Sequence, residues 1–426
     1  MNRDRVHFLF LNVGHFMDHL LMLVFATVAA LTLTRDWGMS YAELVPYAMP
    51  GFVAFGVLSL PAGWLADRWS RQGMMAVFFV GIGLAAIATS LARTPLEMAT
   101  GLLGIGVFAA IYHPVGLAMV VQGHTRVGMA IAINGIWGNL GVAAAALITG
   151  FFIDNGGWHA AFIAPGAVSV AIGLTYAWLF RQDILAPRAP STPAGAATGP
   201  GGAHAVPPAS ATPTRSAAAS AMRETMLRLT MVILFITAAS SIVFQATTFA
   251  LPKVFDERLG GIATSATLLG WLTFLVFAIA SSTQLIVGNL LDRYGPRPVF
   301  LVVASIQVVF FLTMPGLADW SALAVAFAFM VGTFGQVPIV DFVIGKLAKS
   351  EMRASVFGAR YVVAFAALAL ALPLIAWVHQ NWGFDVLFRI MAASAAAVFL
   401  AASLLPARLP DPEATPGGVA TAVART

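Results

Sequence analysis

Long apolar runs alternate along the chain with short polar interruptions, and twelve of the runs are about 20 residues long. Each run is bounded by charged residues or by Gly and Pro. A helix of that length crosses the roughly 30 Å hydrocarbon core of a bilayer and satisfies its own backbone hydrogen bonds there. The pattern predicts twelve transmembrane helices at 7–33, 41–66, 73–92, 96–121, 127–153, 158–180, 227–252, 264–291, 297–316, 320–346, 354–379 and 383–405.

Composition supports a membrane location. The 426 residues are 59% hydrophobic and only 10% charged, with a mean hydropathy of +0.87, whereas a water-soluble domain carries about 25% charged residues. A secreted hydrolase, a nucleic-acid-binding protein and a Rossmann-type oxidoreductase all need more polar surface. The sequence therefore predicts an all-α membrane protein that contacts the lipid bilayer and no nucleic acid. The chain has no cysteine, which excludes disulfides and thiolate metal ligands.

The longest polar stretch divides the spans into two sets of six. Its centre, PRAPSTPAGAATGPGGAHAVPPASATPTRSAAAS, lacks large apolar residues and cannot bury enough surface to offset its ordering entropy. The tail has a similar composition. We expect an N-terminal six-helix half at 1–181, a disordered cytoplasmic linker at 182–226, a C-terminal six-helix half at 227–405 and a disordered cytoplasmic tail at 406–426.

Basic residues are distributed unevenly between the two sides of the predicted membrane. If both termini and the linker share one side, that side carries 17 of the 23 Lys and Arg residues and the other side carries four. The positive-inside rule places the more basic side in the cytoplasm. We therefore expect a multi-pass protein of a bacterial-type inner membrane, with both termini cytoplasmic.

Two segments repeat one another at an offset of 225 residues. GWLADRWSRQ follows the second span and GNLLDRYGPR follows the eighth, in a shared frame G-x-L-x-D-R. A second echo, GWHAAF and NWGFDVLF, aligns Trp158 with Trp382 at an offset of 224. Two echoes at nearly one offset indicate a duplicated six-helix half.

The repeated loop motif suits a conformational switch. Its glycines permit close helix approach, and its carboxylates can pair with arginines or cap a helix. Such contacts form in one orientation of the halves and break in the other, although juxtamembrane charge that only fixes topology is the alternative. The motif residues are Gly63, Asp67, Arg68 and Arg71 in the first copy and Gly288, Asp292, Arg293 and Arg297 in the second.

With twelve spans and this loop motif, the chain resembles the major facilitator superfamily over nearly its whole length. The resemblance implies a major facilitator fold of two pseudo-symmetric six-helix halves. Three short segments, HFMD at 15–18, YHP at 112–114 and GNLG at 138–141, are similar to the fosmidomycin-resistance type of efflux carrier. The fourth span departs from the wider family, with Thr100 near the place of an expected arginine, and the fifth lacks the Gly-Pro of drug antiporters.

Ionisable residues inside a bilayer cost about 2.5–3.5 kcal/mol each, so those that remain are candidates for function. The first span carries Asn12, His15, Asp18 and His19, whose spacings place them on one helical face. We predict that Asp18 and His15 take part in proton coupling and that Asn12 and His19 line a substrate cavity. The alternative is a hydrogen-bonded pair that only fixes helix packing.

The fourth and tenth spans each place an ionisable residue beside a proline. His113 precedes Pro114, which should bend the helix near mid-membrane, and Asp341 follows Pro338 at the corresponding depth. Both are predicted proton-coupling residues, with a packed hydrogen-bond donor as the alternative for His113. Arg360 is a candidate partner for Asp341 or for an anionic substrate.

Further polar residues are candidates for the substrate cavity, although the evidence for each is a single position on a helix face. The helical face that carries Asn134 and Trp137 also contains the glycines of the GNLG segment, and tight helix packing is the competing interpretation of that face. These candidates are Asn134, Trp137, Gln245 and Gln336.

No G-x-x-x-x-G-K-[ST] nucleotide-binding loop occurs, so a gradient must drive any transport. We predict a secondary active transporter for a small organic solute, functional as a monomer, that is not an enzyme and holds no cofactor or metal. The family resemblance implies drug or metabolite efflux by proton antiport, while Arg360 and the missing Gly-Pro leave proton-coupled uptake of a small organic anion open. A receptor would need a folded signalling domain, and a membrane enzyme would need clustered metal ligands or a nucleophile motif at a helix end.

Overall fold

The computed structural model describes residues 3–122, 127–185, 213–347 and 353–406, and within these ranges every regular element is helical. Ten spans in the described ranges are long and apolar enough to cross a bilayer. Eight of them form single crossing helices: α1 (Arg3–Asp36), α2 (Tyr41–Arg68), α3 (Arg71–Thr89), α4 (Pro95–Val121), α7 (Pro213–Arg258), α8 (Ala266–Tyr294), α9 (Pro296–Thr313) and α10 (Asp319–Leu347).

Two glycines divide the remaining spans into two helices each. Val127–Leu179 is interrupted at Gly157 and Arg353–Ser403 at Gly383, where φ is +76° and +72°. With ψ near 180°, this backbone conformation is essentially restricted to glycine. The breaks give α5 (127–156), α6 (158–179), α11 (353–382) and α12 (384–403). The protein therefore has the twelve predicted helices, and the matched breaks mark two similar halves, α1–α6 and α7–α12.

The second sequence echo aligns differently in the structure. The two helix-breaking glycines correspond, whereas the tryptophans that the echo pairs do not share an environment: Trp158 is buried and Trp382 is half exposed. The sequence echo is therefore out of register with the structural repeat, because the helix-breaking glycine precedes the tryptophan in the first half and follows it in the second.

Helical structure extends into the predicted linker from both sides. A short helix occupies Arg181–Leu185, and α7 begins at Pro213 rather than at 227. The segment SAAASAMRETM at 216–226 consists mostly of good helix formers, which explains the earlier start. The centre of the linker, 186–212, and the tail from 407 lie outside the described residues.

Large apolar side chains cover the outside of the bundle. Leu60, Trp178 and Leu370 are about two-thirds exposed, at 65%, 65% and 64%. Contiguous apolar surface of this kind marks an interaction site or a lipid-facing surface. In a chain with ten spanning segments, the partner is the hydrocarbon of the bilayer.

Helices α1 and α5 pack at backbone contact because small residues line their interface. A Cβ built on Gly141 would lie 2.3 Å from the backbone oxygen of Phe16, and one on Gly138 would lie 2.5 Å from the His15 ring. Only glycine fits at such distances, so the GNLG stripe does have the packing role that competed with a cavity role.

The halves are joined by polar contacts at the end of the bundle that carries the α1–α2 and α7–α8 connections, which we call the distal end. The Asp154 carboxylate of α5 accepts hydrogen bonds from the backbone N–H groups of Ala266 and Thr267, at 3.3 and 2.7 Å, and from the Thr267 hydroxyl at 2.6 Å. A residue of the first half thus caps the N-terminus of α8 in the second half.

Like these polar contacts, the aromatic and apolar contacts between the halves lie at the distal end. At the distal end, Phe52 packs on Phe249 and Tyr41 packs on His379, both across the halves. One apolar core continues through both halves there. At the other end, where α1 begins and α12 ends, a separate apolar cluster belongs entirely to the second half. We call this the terminal end.

The close packing of α1 on α5 leads to a stability prediction. Gly141→Ala places a methyl group against the Phe16 carbonyl and should destabilise the fold by about 1–3 kcal/mol. Gly135→Ala is the matched control on the same helix, since a Cβ there meets no atom within 4 Å, and alanine is the better helix former. Thermal unfolding in detergent should show a lower midpoint for the first variant only. Equal midpoints would contradict the tight interface.

Candidate functional site

The polar stripe of α1 is turned toward α4 and α5, as its spacing predicted. Asn12, His15 and Asp18 are buried, and Asp18 is 0% exposed. His19 is partly exposed. The stripe lies inside the first half and does not face lipid, so these side chains meet other polar groups of the protein.

A hydrogen-bond network joins the three helices. The Tyr112 hydroxyl of α4 donates to the backbone oxygen of Leu11 at 2.8 Å. The Asn134 side-chain amide of α5 lies 2.8 Å from the Tyr112 hydroxyl and donates to the Asn12 side-chain oxygen at 3.0 Å. Each of the three helices therefore contributes a polar side chain that is hydrogen-bonded to a side chain of a neighbouring helix, and this network holds the local geometry.

The ring of His15 is held in one tautomer by α5. Its Nδ1 lies 2.8 Å from the backbone oxygen of Asn134, and because a carbonyl only accepts, Nδ1 carries the proton and donates. The other nitrogen, Nε2, is then an acceptor. It faces Nε2 of His19 at 3.2 Å.

Asp18 and His113 form an ionisable pair in the site. Oδ2 of Asp18 lies 3.6 Å from Nε2 of His113, which is longer than a good hydrogen bond. Neither carboxylate oxygen of Asp18 has a hydrogen-bond partner among the described residues. A fully buried carboxylate without hydrogen bonds is stable only if it is protonated or if a cation lies beside it.

An irregular turn of α4 presents His113 to α1. Residues Tyr112–Gly116 form a π-helical turn around Pro114, as expected where a proline removes a backbone donor. The helix is therefore irregular at the position where the bend is predicted. A Cβ on Gly63 of α2 would lie 3.2 Å from the Pro114 ring, so the loop-motif glycine packs against the turn that carries the site.

The corresponding region of the second half is built differently. The Gln336 amide of α10 donates to the Ser240 hydroxyl of α7. Asp341 is partly buried further along α10, which continues as a helix through Pro338. The backbone beside Asp341 therefore lacks the irregular turn found beside His113, although the sequence pattern made the two positions correspond.

Two of the remaining cavity candidates lie outside the hydrogen-bonded group of polar residues on α1, α4 and α5. Trp137 and Gln245 are partly buried, and no hydrogen bond described in the structure joins either of them to it. Arg360 belongs to α11, and its side chain lies outside the described residues.

In the first copy of the loop motif, each charged side chain has a local partner. Arg71 donates to the Asp67 carboxylate at 2.8 Å, and the Arg68 guanidinium lies 3.9 Å from the centre of the Trp64 ring. Together with the contact of Gly63, these interactions stay within the first half.

The second copy of the motif is more open. Asp292 and Arg293 are exposed, and Arg297 is partly buried. A Cβ on Gly288 would meet no described atom within 4 Å. The close approach predicted for this glycine is therefore not made in the present conformation.

Three residues of functional interest were missed by sequence reasoning. Tyr112 lies in the YHP segment but its phenol was given no role, although a tyrosine beside a membrane histidine is a usable signal. Ser240 has no sequence feature that distinguishes it from the other serines of the chain. Asp154 directly follows the predicted span 127–153, and nothing in the sequence indicates that it contacts the other half.

A sequence profile of the Major Facilitator Superfamily matches residues 11–261 and again residues 233–424. These two matches overlap and together cover most of the chain.

Curated relatives match shorter segments. A gallate transporter of Pseudomonas putida is 27% identical over 154 residues, covering 36% of this chain and 34% of the relative. The niacin transporter NiaP of Acinetobacter baylyi is 30% identical over 146 residues, covering 33% of each. A puromycin resistance protein of Streptomyces alboniger is 32% identical over 125 residues, covering 29% of this chain and 25% of the relative. The chain thus aligns with about a third or less of the length of these relatives.

Solved structures match over the whole bundle. A bacterial homolog of the human lysosomal transporter Spinster, in an inward-facing and unoccupied conformation, gives a TM-score of 0.72 at 16% identity, covering 96% of this chain and 99% of that one. A D-xylose–proton symporter gives 0.66 at 14% identity, covering 95% and 98%. These likenesses concern the fold alone. The profile matches and the twelve-helix fold together establish that the chain belongs to the Major Facilitator Superfamily.

Proposed function

We propose that the chain is a proton-coupled secondary transporter of small organic anions, in which the two halves rock about a central site. The observation that carries the proposal is Asp18, a fully buried carboxylate close to a group of three histidines. A carboxyl group that exchanges its proton as access alternates links solute movement to the proton gradient. One charge crossing 100 mV releases about 2.3 kcal/mol, enough for roughly a fiftyfold concentration ratio.

The site residues divide into two roles in this proposal. Asp18 and His113 hold the proton in the first half, and Asp341 is the corresponding candidate in the second. His15 exchanges protons with this pair. Asn12, Asn134 and the more distant candidates, including Arg360, shape the cavity or attract the anion.

Small organic acids are the substrate class that the relatives favour. Two of them are named for gallate and niacin, both small aromatic carboxylates. An anion of this kind suits a net positive chain, charge +5, with several histidines near its centre. Proton symport would remove the negative charge that otherwise opposes uptake.

Efflux is the second candidate. It is supported by the match to a puromycin resistance protein and by the HFMD, YHP and GNLG segments, which are similar to the fosmidomycin-resistance type. The same buried carboxylate serves an antiporter if proton and solute occupy the carrier alternately and cross in opposite directions, whereas in a symporter they cross together.

We further infer that the described conformation is closed at the distal end and open at the terminal end. The polar and aromatic contacts between the halves that support this lie at the distal end. With the termini in the cytoplasm, as the basic residues favour, this is an inward-open state in an inner membrane.

Proton coupling through α1 is tested by Asp18→Asn in proteoliposomes. Gallate or nicotinate added outside the wild type should move protons with the solute and change the internal pH. The substitution removes the titratable group, so proton movement should be lost. Asp36→Asn is the matched control, an exposed aspartate at the end of the same span, and should behave as the wild type. Equal proton movement in all three proteins would contradict the role of Asp18.

Direction is tested in cells with an uncoupler. If the chain takes up an organic anion by symport, the uncoupler should lower accumulation of that anion, because the gradient that drives uptake collapses. Higher accumulation after uncoupling would overturn uptake and leave efflux as the function.

Alternating access predicts that fixing the distal contact stops transport. Because the chain has no cysteine, Asp154→Cys with Thr267→Cys introduces the only two thiols, one in each half. A short bifunctional maleimide should join them and abolish transport. Glu257→Cys with His379→Cys is the control, since these side chains lie 2.9 Å apart within the second half. Transport that survives efficient joining of 154 to 267 would contradict rocking about this contact.

A further inference from the structure

Three histidines from two helices converge beside Asp18. One ring nitrogen from each of His15, His19 and His113 can be chosen so that all three lie within 4.8 Å of one another. His15 is buried, and the other two rings are partly exposed. The proposed transport mechanism needs a proton site here, but it does not require three imidazoles facing one point.

The closest pair of nitrogens already has the spacing of metal ligands. Two imidazole nitrogens at about 2.0–2.1 Å from one tetrahedral zinc ion lie roughly 3.3 Å apart. Nε2 of His15 and Nε2 of His19 are separated by 3.2 Å. The nitrogens of all three rings lie within 4.8 Å of one another, so the third must approach by up to about 1.5 Å, which side-chain rotation at a partly exposed position allows.

Outer contacts prepare the site for a cation. The Asn134 carbonyl accepts from Nδ1 of His15 at 2.8 Å, so the lone pair on Nε2 is directed at the cluster, as in metal sites where a second acceptor fixes the ligand ring. The Asp18 carboxyl group lies 3.6 Å from His113. Its two oxygens have no hydrogen-bond partner among the described residues, so a cation bound at the histidines would stabilise the ionised form of this buried group.

We propose that His15, His19 and His113 bind one divalent transition-metal ion, with the Asp18 carboxylate balancing part of its charge. Three imidazoles suit Zn²⁺, Ni²⁺ or Cu²⁺ and disfavour Mg²⁺ and Ca²⁺, which prefer oxygen ligands. The ion replaces the proton that His19 shares with His15. The inference goes beyond the proposed transport function and is independent of substrate and direction.

The test measures Zn²⁺ binding to purified full-length protein in detergent, without substrate or gradient. The protein carries an affinity tag free of histidine, and a chromophoric chelator competes for the ion. The wild type should bind one Zn²⁺ at neutral pH, and binding should weaken at acidic pH, because a protonated imidazole cannot be a metal ligand. Because no gradient is involved, failure of proton coupling would leave this result untouched.

Variants assign the ion to the cluster. His19→Ala and His113→Ala each remove a ligand, so binding should weaken by more than the roughly 10–100-fold typical of losing an outer partner. His159→Ala is the matched control, an exposed histidine on α6, and should bind as the wild type does. Equal binding by wild type and His19→Ala, or an equal loss in His159→Ala, would overturn the proposal.

A second measurement needs no variant, in case His113→Ala does not fold. Zn²⁺ should raise the thermal unfolding midpoint of the wild type, because it binds the folded state, whereas Mg²⁺ should not. The same midpoint with and without Zn²⁺, at concentrations that saturate the chelator assay, would also overturn the site.

Discussion

The structure of the first half depends on the burial of one carboxylate. Asp18 is fully enclosed in a protein whose surroundings are hydrocarbon, where an uncompensated charge is costly. The adjacent elements respond to it: His113 is presented by an irregular turn of α4, and His15 is oriented by α5. Glycines on α5 bring that helix close enough to act. Helix packing, backbone irregularity and polar chemistry therefore meet at this point.

The same arrangement couples the site to the membrane-surface motif. Gly63 of α2 packs against Pro114, one residue from His113, and the motif continues into the ion pair of Asp67 and Arg71. Gly288 meets no equivalent neighbour among the described residues of the second half. The two halves share a fold, and their polar chemistry is unequal.

Sequence reasoning captured what hydropathy and periodicity encode. The helices, the shared face of Asn12, His15 and Asp18, and the irregular turn at Pro114 all follow from spacing and residue type. Contacts between distant segments were not accessible in this way: neither the bond from Gln336 to Ser240 nor the cap of α8 by Asp154 leaves a periodic signal. The helical start at Pro213 was missed because overall composition outweighed local helix propensity.

The cap that Asp154 provides to α8 has a consequence for the energetics of opening. When the halves separate at the distal end, water can reach both the carboxylate and the freed N–H groups. Exchange with water reduces the net loss to about 1.5–3 kcal/mol for each hydrogen bond to the charged carboxylate, compared with about 4–6 kcal/mol for breaking a hydrogen bond in an apolar medium. A junction made of such bonds at an aqueous boundary is specific in geometry, and each of its bonds costs less to open than it would inside the bilayer.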